Sequence, residues 1–315
     1  MIKSKYNKKK ICIISSSRAE LGQLSGLIKL FQKSKFFKTD LVLTGLHLNK
    51  FSKYSYKEAL QYDLKVSKKI NIKMKKFKKT DISIYFSYFS QKFANYFAKN
   101  KPEILLILGD RYETLAIVSA AYLQNIPIVH LHGGEITSGS KDDSIRHAIT
   151  KLSNFHFVAN ETFKKRLIKM GEQPKNIFTS GMPGLTNIKR IDYYSKKNLI
   201  DKLNINFNKK NIIVTLHPEF DKNSTLKVSN HLFSVLKSLK NTNKFICSPN
   251  ADAYSDIIRL KIKKFLKEDK NSYYFENLGT KNYLSLAKLC NFTIGNSSSG
   301  ITEMPYIGIP SINLG

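Results

Sequence analysis

Short apolar runs, each followed by a polar turn and then a stretch with helical spacing, recur along this whole chain. "KICIISSS" leads to "RAELGQLSGLIKLFQ", with "DLVLTG" next; "EILLILGD" leads to "TLAIVSAAYLQ". "IPIVHLHGG" leads to "DDSIRHAITKLS", "FHFVAN" to "ETFKKRLIKMG", and "IFTSGMPG" closes a first set. A second set holds "NIIVTLHP", "KFICSPN", "YYFENLG", "FTIGNSSS" and "PSINLG". Near-continuous apolar strands alternating with helices predict parallel sheets covered on both faces. The expectation is an α/β chain of two doubly wound, Rossmann-like domains, residues 1–188 and 189–315, dividing within a Lys/Asn-rich stretch.

In open α/β sheets, ligands bind beyond the carboxyl ends of the strands. That rule selects Ser15–Arg18, Gly109-Asp110-Arg111, His132–Glu135, His217-Pro218, Asn250 and Asn296–Ser299. Ser17 and Glu20 have capping-box spacing, and the helix start beside Arg18 could also take a phosphate. Asp110 is either the N-cap of the next helix or a carboxylate whose proton affinity is open to tuning. Glu135 follows two glycines that would let the backbone approach a ligand. Asp143, three residues after Ser140, fits the third helical position of a capping box, with Arg146 next along the same face. His217 is fixed by Pro218, and His132 and His147 read as hydrogen-bonding supports. "GNSSSGITEMP" offers hydroxyls and helix N–H groups for a diphosphate, with Glu303 placed to accept from ribose hydroxyls.

Composition removes several other functions. The 53 Lys and Arg against 23 Asp and Glu give a net charge of +30. Nearly all of that excess is Lys, dispersed and without the basic, aromatic-interleaved groove of a nucleic-acid binder. Only six Arg occur, and Arg18, Arg111 and Arg146 stand at the selected strand ends, where a planar fork suits phosphate or carboxylate. The apolar run near the N-terminus is too short for a secretion signal, and no stretch approaches a membrane span. Cys12, Cys247 and Cys290 lack metal-ligand spacing and read as core residues in a reducing compartment. No Walker A, G-x-G-x-x-G or G-x-S-x-G sequence is present.

Taken together, "SSRAELGQL", "GDRYETL", "HLHGGEITSGSKDDSIRHAITKLSNFHFVAN", "HPEF", "SPNADA" and "IGNSSSGITEMPYIGIPSINLG" resemble the hydrolysing UDP-N-acetylglucosamine 2-epimerases, in the branch feeding sialic-acid and legionaminic-acid type sugars. The resemblance implies a GT-B fold with the active site in the cleft between its two domains. It implies loss of UDP with removal of the C2 proton, then water addition to the resulting glucal. It makes Asp110, Glu135, Asp143 and His217 the candidate catalytic residues, the three carboxylates for acid/base work and His217 beside the diphosphate and sugar. Arg18, Arg111, Arg146, Asn250, Ser297, Ser298 and Glu303 become candidate UDP-sugar contacts. No metal or other cofactor, no nucleic acid and no membrane is implied, and a cytoplasmic homo-oligomer, dimer or tetramer, is. Members continue past the final "INLG" with an Arg-containing loop and helices, so the second domain is expected to be shortened. The substrate it implies is UDP-N-acetylglucosamine, giving UDP and free N-acetylmannosamine; the alternatives are the same reaction on the 2,4-diacetamido-2,4,6-trideoxy analogue, or a GT-B glycosyltransferase.

Overall fold

The computed structural model describes residues 7–49, 55–74, 79–137, 142–189, 191–207, 210–249 and 253–314. The chain forms two compact units that divide between Asn187 and Ile188.

The first unit runs β1 (Lys9–Ser15), α1 (Arg18–Lys33), β2 (Phe37–Leu43), α2 (Glu58–Gln61), β3 (Lys68–Lys69) and α3 (Lys79–Asn100). It continues with β4 (Ile104–Leu108), α4 (Tyr112–Leu123), β5 (Ile128–Leu131), α5 (Asp142–Lys151), β6 (Phe155–Val158), α6 (Glu161–Lys169), β7 (Ile177–Thr179) and most of α7 (Pro183–Lys189), within which the division falls. Its seven strands lie in the order β3-β2-β1-β4-β5-β6-β7, every pairing parallel. The second unit holds α8 (Lys196–Leu203), β8 (Lys210–Thr215), α9 (Lys222–Ser238), β9 (Thr242–Cys247) and α10 (Ser255–Glu268). Then come β10 (Ser272–Phe275), α11 (Gly279–Ala287), β11 (Phe292–Gly295), α12 (Ser299–Tyr306) and β12 (Ser311–Asn313). Its sheet is parallel in the order β10-β9-β8-β11-β12.

The apolar runs become central strands because both of their faces are covered. In β1, Ile11, Cys12, Ile13 and Ile14 are all buried, so neither side of the pleat is left to water. Leu21, Leu24 and Ile28 of α1 close one face, joining Leu41, Leu43, Leu106 and Leu108 in a single core. Each such side chain contributes roughly 1.5–3 kcal/mol when fully removed from water. Ile212, Val214, Leu232, Leu236, Ile246, Ile258, Ile262 and Phe265 form the corresponding core of the second unit. None of the three cysteines forms a disulfide; Cys12 is fully buried, and desolvation pushes its thiol up to about 12.

Between β2 and β4 the apolar-run pattern names no strand, yet the structure places β3, α2 and the long α3 there. β3 is only two lysines at the sheet edge, too short and polar to leave a pattern. α3 buries Tyr85, Phe89, Phe93 and Phe97, spaced by four, so its signal is an aromatic stripe at helical period.

In each sheet the chain runs outward in both directions from one pair of neighbours, β1 with β4 and β8 with β11. Such switch points open a crevice at the strands' carboxyl ends. At the second, Gly295 closes β11 at φ +149°, opposite Thr215 of β8. A Cβ on Gly295 would sit 1.7 Å from the Thr215 carbonyl oxygen. Gly295→Ala is therefore expected to destabilise the second unit by about 3 kcal/mol or more, combining steric displacement with backbone strain. Urea unfolding followed by circular dichroism checks this; a change under about 0.5 kcal/mol would contradict the close approach.

Candidate active site

At the end of β1, Ser15, Ser16 and Ser17 turn the chain into α1. Ser17 is extended and its hydroxyl accepts the Glu20 N–H at 3.5 Å, so it is the N-cap. Glu20 does not complete the expected box by returning to Ser17. Its carboxylate accepts the Ser16 N–H at 2.6 Å and the Ser16 hydroxyl at 2.9 Å, one residue further back. This seals the turn from inside, and burial pushes the Glu20 carboxyl up to about 7, against the pull of the Arg111 cation. The Ser15 hydroxyl continues the network to His47 Nε2 at 3.0 Å, and His47 Nδ1 lies 2.9 Å from the Ser55 hydroxyl. Desolvation pushes His47 down to about 4, so its imidazole is neutral at pH 7. Arg18 opens α1, half-buried, and its guanidinium makes no hydrogen bond or salt bridge among the described residues.

Beyond β4 and β5 two of the candidate carboxylates, Asp110 and Asp143, converge on one cation that also holds the main-chain carbonyl of the third, Glu135. Asp110 is not the cap of α4: Arg111 takes that position, and no side chain bonds the helix start. Asp110 instead pairs with Nη2 of Arg146. Burial raises the Asp110 carboxyl above its ordinary range, and the Arg146 charge opposes that rise. Nη1 of Arg146 donates to Asp143 Oδ1 at 2.6 Å and to the Glu135 carbonyl at 2.8 Å. Asp143 Oδ1 also accepts the Thr137 N–H at 2.8 Å. Ser140, the expected capping partner of Asp143, lies outside the described residues. Arg146 itself is 3% exposed.

Arg146 stands beside Asp143 as the helix spacing predicts, and its fork is taken by Asp110, Asp143 and a carbonyl. Arg111 is also engaged, donating to the fully buried Glu113 at 3.2 and 3.1 Å.

The glycine pair has a different purpose from the one its flexibility suggests. Gly134, at φ +79°, packs on α6, where a Cβ would meet Leu167 at 2.4 Å and the Phe163 carbonyl at 2.8 Å. Arg166 of that helix donates to the Gly134 carbonyl. The close approach is to α6, and it fixes the loop that carries Glu135. The Glu135 carboxylate is half-buried, with Oε1 2.8 Å from Nδ1 of His132. His130, overlooked in the sequence, ties the neighbouring strand end: Nε2 is 3.0 Å from the Gly109 carbonyl and Nδ1 3.2 Å from the Thr150 hydroxyl. Burial pushes it down to about 3 and keeps it a neutral brace.

In the second unit, Asn296 joins the two central strand ends. It accepts the His217 N–H at 2.7 Å, and its amide donates to the His217 carbonyl and to Glu219, each at 3.0 Å. Sequence reasoning selects the position of Asn296, while its clamping role needs the neighbouring strand. Ser297 lines a small hollow with Thr215, Tyr283, Gly300 and Asn313. Ser298 occupies the N-cap position of α12 without a side-chain bond to it. Burial raises the Glu303 carboxyl above its ordinary range. Asn250 lies outside the described residues. Among the described residues, no cluster of three or more His, Cys, Asp or Glu is arranged to hold a metal ion, and no helix is long and apolar enough to cross a membrane.

Two Rossmann-like parallel α/β units, each with polar groups at its switch point, place the chain in the GT-B class. The chain belongs to the UDP-N-acetylglucosamine 2-epimerase family, whose model matches residues 29–315. It is 39% identical to the GDP/UDP-N,N'-diacetylbacillosamine 2-epimerase (hydrolyzing) of Campylobacter jejuni, across 98% of this chain and 81% of that protein. Identity to the polysialic acid biosynthesis protein P7 of Escherichia coli is 34%, across 98% and 78%. The structure of the Neisseria meningitidis UDP-GlcNAc 2-epimerase bound to UDP-GlcNAc superposes with a TM-score of 0.84 at 19% identity, covering 97% of this chain and 82% of that one. The chain is accordingly an enzyme of the 2-epimerase type.

The buried Glu20 has a measurable consequence. Its folded pKa lies above the unfolded value, so the native state holds the extra proton between about pH 4.5 and 7. The stability of the native protein relative to Glu20→Gln is expected to be greatest below pH 4.5 and to fall as pH rises to about 7, by at most roughly 1.4 kcal/mol per pH unit. Paired urea titrations across that window check the sign; a difference independent of pH would refute it.

Proposed function

We propose that this enzyme is a hydrolysing UDP-sugar 2-epimerase, which releases UDP and a free 2-epimerised 2-acetamido sugar. The observation that carries the reading is the pairing of Asp110 and Asp143 with Arg146, which also holds the Glu135 carbonyl, beyond β4 and β5 of the first unit. Elimination across C1 and C2 needs a base for a weakly acidic C–H and a way to separate charge as diphosphate departs. Water addition then needs a proton returned to C2. Asp110, paired with this internal cation, suits this, because desolvation and the guanidinium act on its proton affinity in opposite directions.

In this reading Asp110, Glu135 and Asp143 exchange protons with the sugar and water, and Arg146 holds them in register. Arg18, Arg111, His217, Asn250, Ser297, Ser298 and Glu303 bind the nucleotide and diphosphate. The α1 start supplies N–H groups beside the Arg18 guanidinium, a combination suited to phosphate oxygens. No metal or redox cofactor enters the scheme.

Of the two substrates, UDP-N-acetylglucosamine and its 2,4-diacetamido-2,4,6-trideoxy analogue, the second is favoured by the 39% identity to the Campylobacter enzyme named for that sugar. The product would feed synthesis of a sialic-acid-type sugar. We place the reaction in the cytoplasm, where Cys12, Cys247 and Cys290 stay reduced, and the working form as a homo-oligomer.

Side-by-side turnover of the two nucleotide sugars, following UDP and free sugar, tests the proposal. Sugar transferred to an acceptor without free 2-epimer would instead identify a glycosyltransferase. Asp110→Asn and Glu135→Gln should each lower kcat by roughly 10²–10⁴-fold while UDP affinity, read by calorimetry, stays within about twofold. Loss of affinity without loss of kcat would remove these residues from the proton-transfer role.

A further inference from the structure

His132 follows β5 immediately and sits in the left-handed region at φ +65°, which Cβ-bearing residues adopt uncommonly. Its ring is buried, the residue being 6% exposed. Nδ1 lies 2.8 Å from Oε1 of Glu135, while Nε2 is buried with no hydrogen-bond partner. These two facts fix the tautomer. A proton on Nε2 would strand a buried donor and set the Nδ1 lone pair against a carboxylate oxygen. A proton on Nδ1 makes a charge-assisted bond and leaves only a buried acceptor unmet.

Glu135 is thereby held at two points. His132 takes Oε1, and Nη1 of Arg146 takes the main-chain carbonyl at 2.8 Å. Its other oxygen, Oε2, makes no hydrogen bond among the described residues, and the side chain keeps 24% exposure. One oxygen is anchored and the other is left to react.

We propose that His132 is the positioning residue for Glu135, its neutral Nδ1–H tautomer aiming Oε2 at the sugar's C2 hydrogen; this rests on the epimerase reading above. In the elimination, Glu135 Oε2 takes the C2 proton. The C–H electron pair becomes the C1–C2 double bond, and the C1–O bond pair departs with UDP. The His132 proton stays on Nδ1 and bonded to Oε1 throughout. A left-handed backbone and an unmet buried nitrogen both cost stability, and packing alone would not select them at this position.

The experiment uses the full chain labelled with ¹⁵N-histidine. In the native protein His132 should show a protonated Nδ1 and a bare Nε2, and Glu135→Gln should loosen that preference. His132→Gly, which suits the backbone angle, should lower kcat by about 10²-fold with UDP affinity within about twofold, and added imidazole should restore part of the turnover. His132→Asn, also tolerated in the left-handed region, replaces the glycine variant should that one fail to fold, and should likewise lose kcat without losing affinity. An Nε2–H or doubly protonated ring in the native protein, or a folded variant with kcat within about twofold of native, would overturn the proposal. Failure of the native enzyme to turn over either sugar would sink the functional reading alone, and the tautomer measurement would still decide the His132–Glu135 arrangement.

Discussion

The first unit's candidate site depends on the guanidinium of Arg146. Three segments separated in sequence meet on it: Asp110 beyond β4, the Glu135–Thr137 loop beyond β5, and Asp143 in the first turn of α5. Two carboxylates this close would repel and shed charge by protonation if left alone. One buried, permanently charged fork between them changes that balance, and its planarity sets their directions as well as their charge. A lysine could supply the charge at only one point. The scarcity of Arg in a Lys-rich chain is thus explained at position 146 by geometry, with the carboxylates rather than a phosphate as its partners.

The first unit holds several groups in states that cost it stability. Glu20 is a carboxyl buried to the point of half-protonation near neutrality, Asp110 is raised by desolvation, and His132 carries backbone strain with a bare buried nitrogen. Each sits within a few residues of a strand end, while the interiors of β1 and β4 are Ile and Leu with the single Cys12. The β1 and β4 interiors therefore supply the packing energy, and their ends bear groups that a stability-driven sequence would not choose. His47 and His130, neutral by burial, brace the turns without adding charge.

Much of this architecture is legible in the sequence because parallel strands buried on both faces leave unbroken apolar runs. Their carboxyl ends follow directly, and so do Asp110, Glu135, His217 and Ser297 as residues to weigh. What stays hidden is partnership. Asp110 reads equally well as a helix cap until Arg146, 36 residues on, is seen to hold it. The Ser17–Glu20 spacing gives a capping pattern but cannot say that the carboxylate passes Ser17 and bonds Ser16. Gly133-Gly134 reads as room for a ligand, whereas the room is taken by Leu167 and Phe163 of a helix about thirty residues on. β3 and α3 escape because a two-lysine edge strand has no pattern and an aromatic stripe interrupts the familiar strand–helix alternation.

The second unit uses a different solution to the same topological problem. There the two central strand ends are joined by an uncharged side chain, Asn296, bridging the His217 backbone and Glu219. Gly295 lets β11 approach β8 more closely than any Cβ would permit, which brings Asn296 within reach of that backbone. An amide clamp fixes geometry without fixing charge, so hydroxyls and N–H groups at the start of α12 remain the local source of polarity for a diphosphate. The first unit, by contrast, fixes charge and geometry together through Arg146. In the proposed reaction the tuned charges of the first unit suit proton transfer, and the fixed donors of the second, together with the Arg18 end of α1, suit a diphosphate.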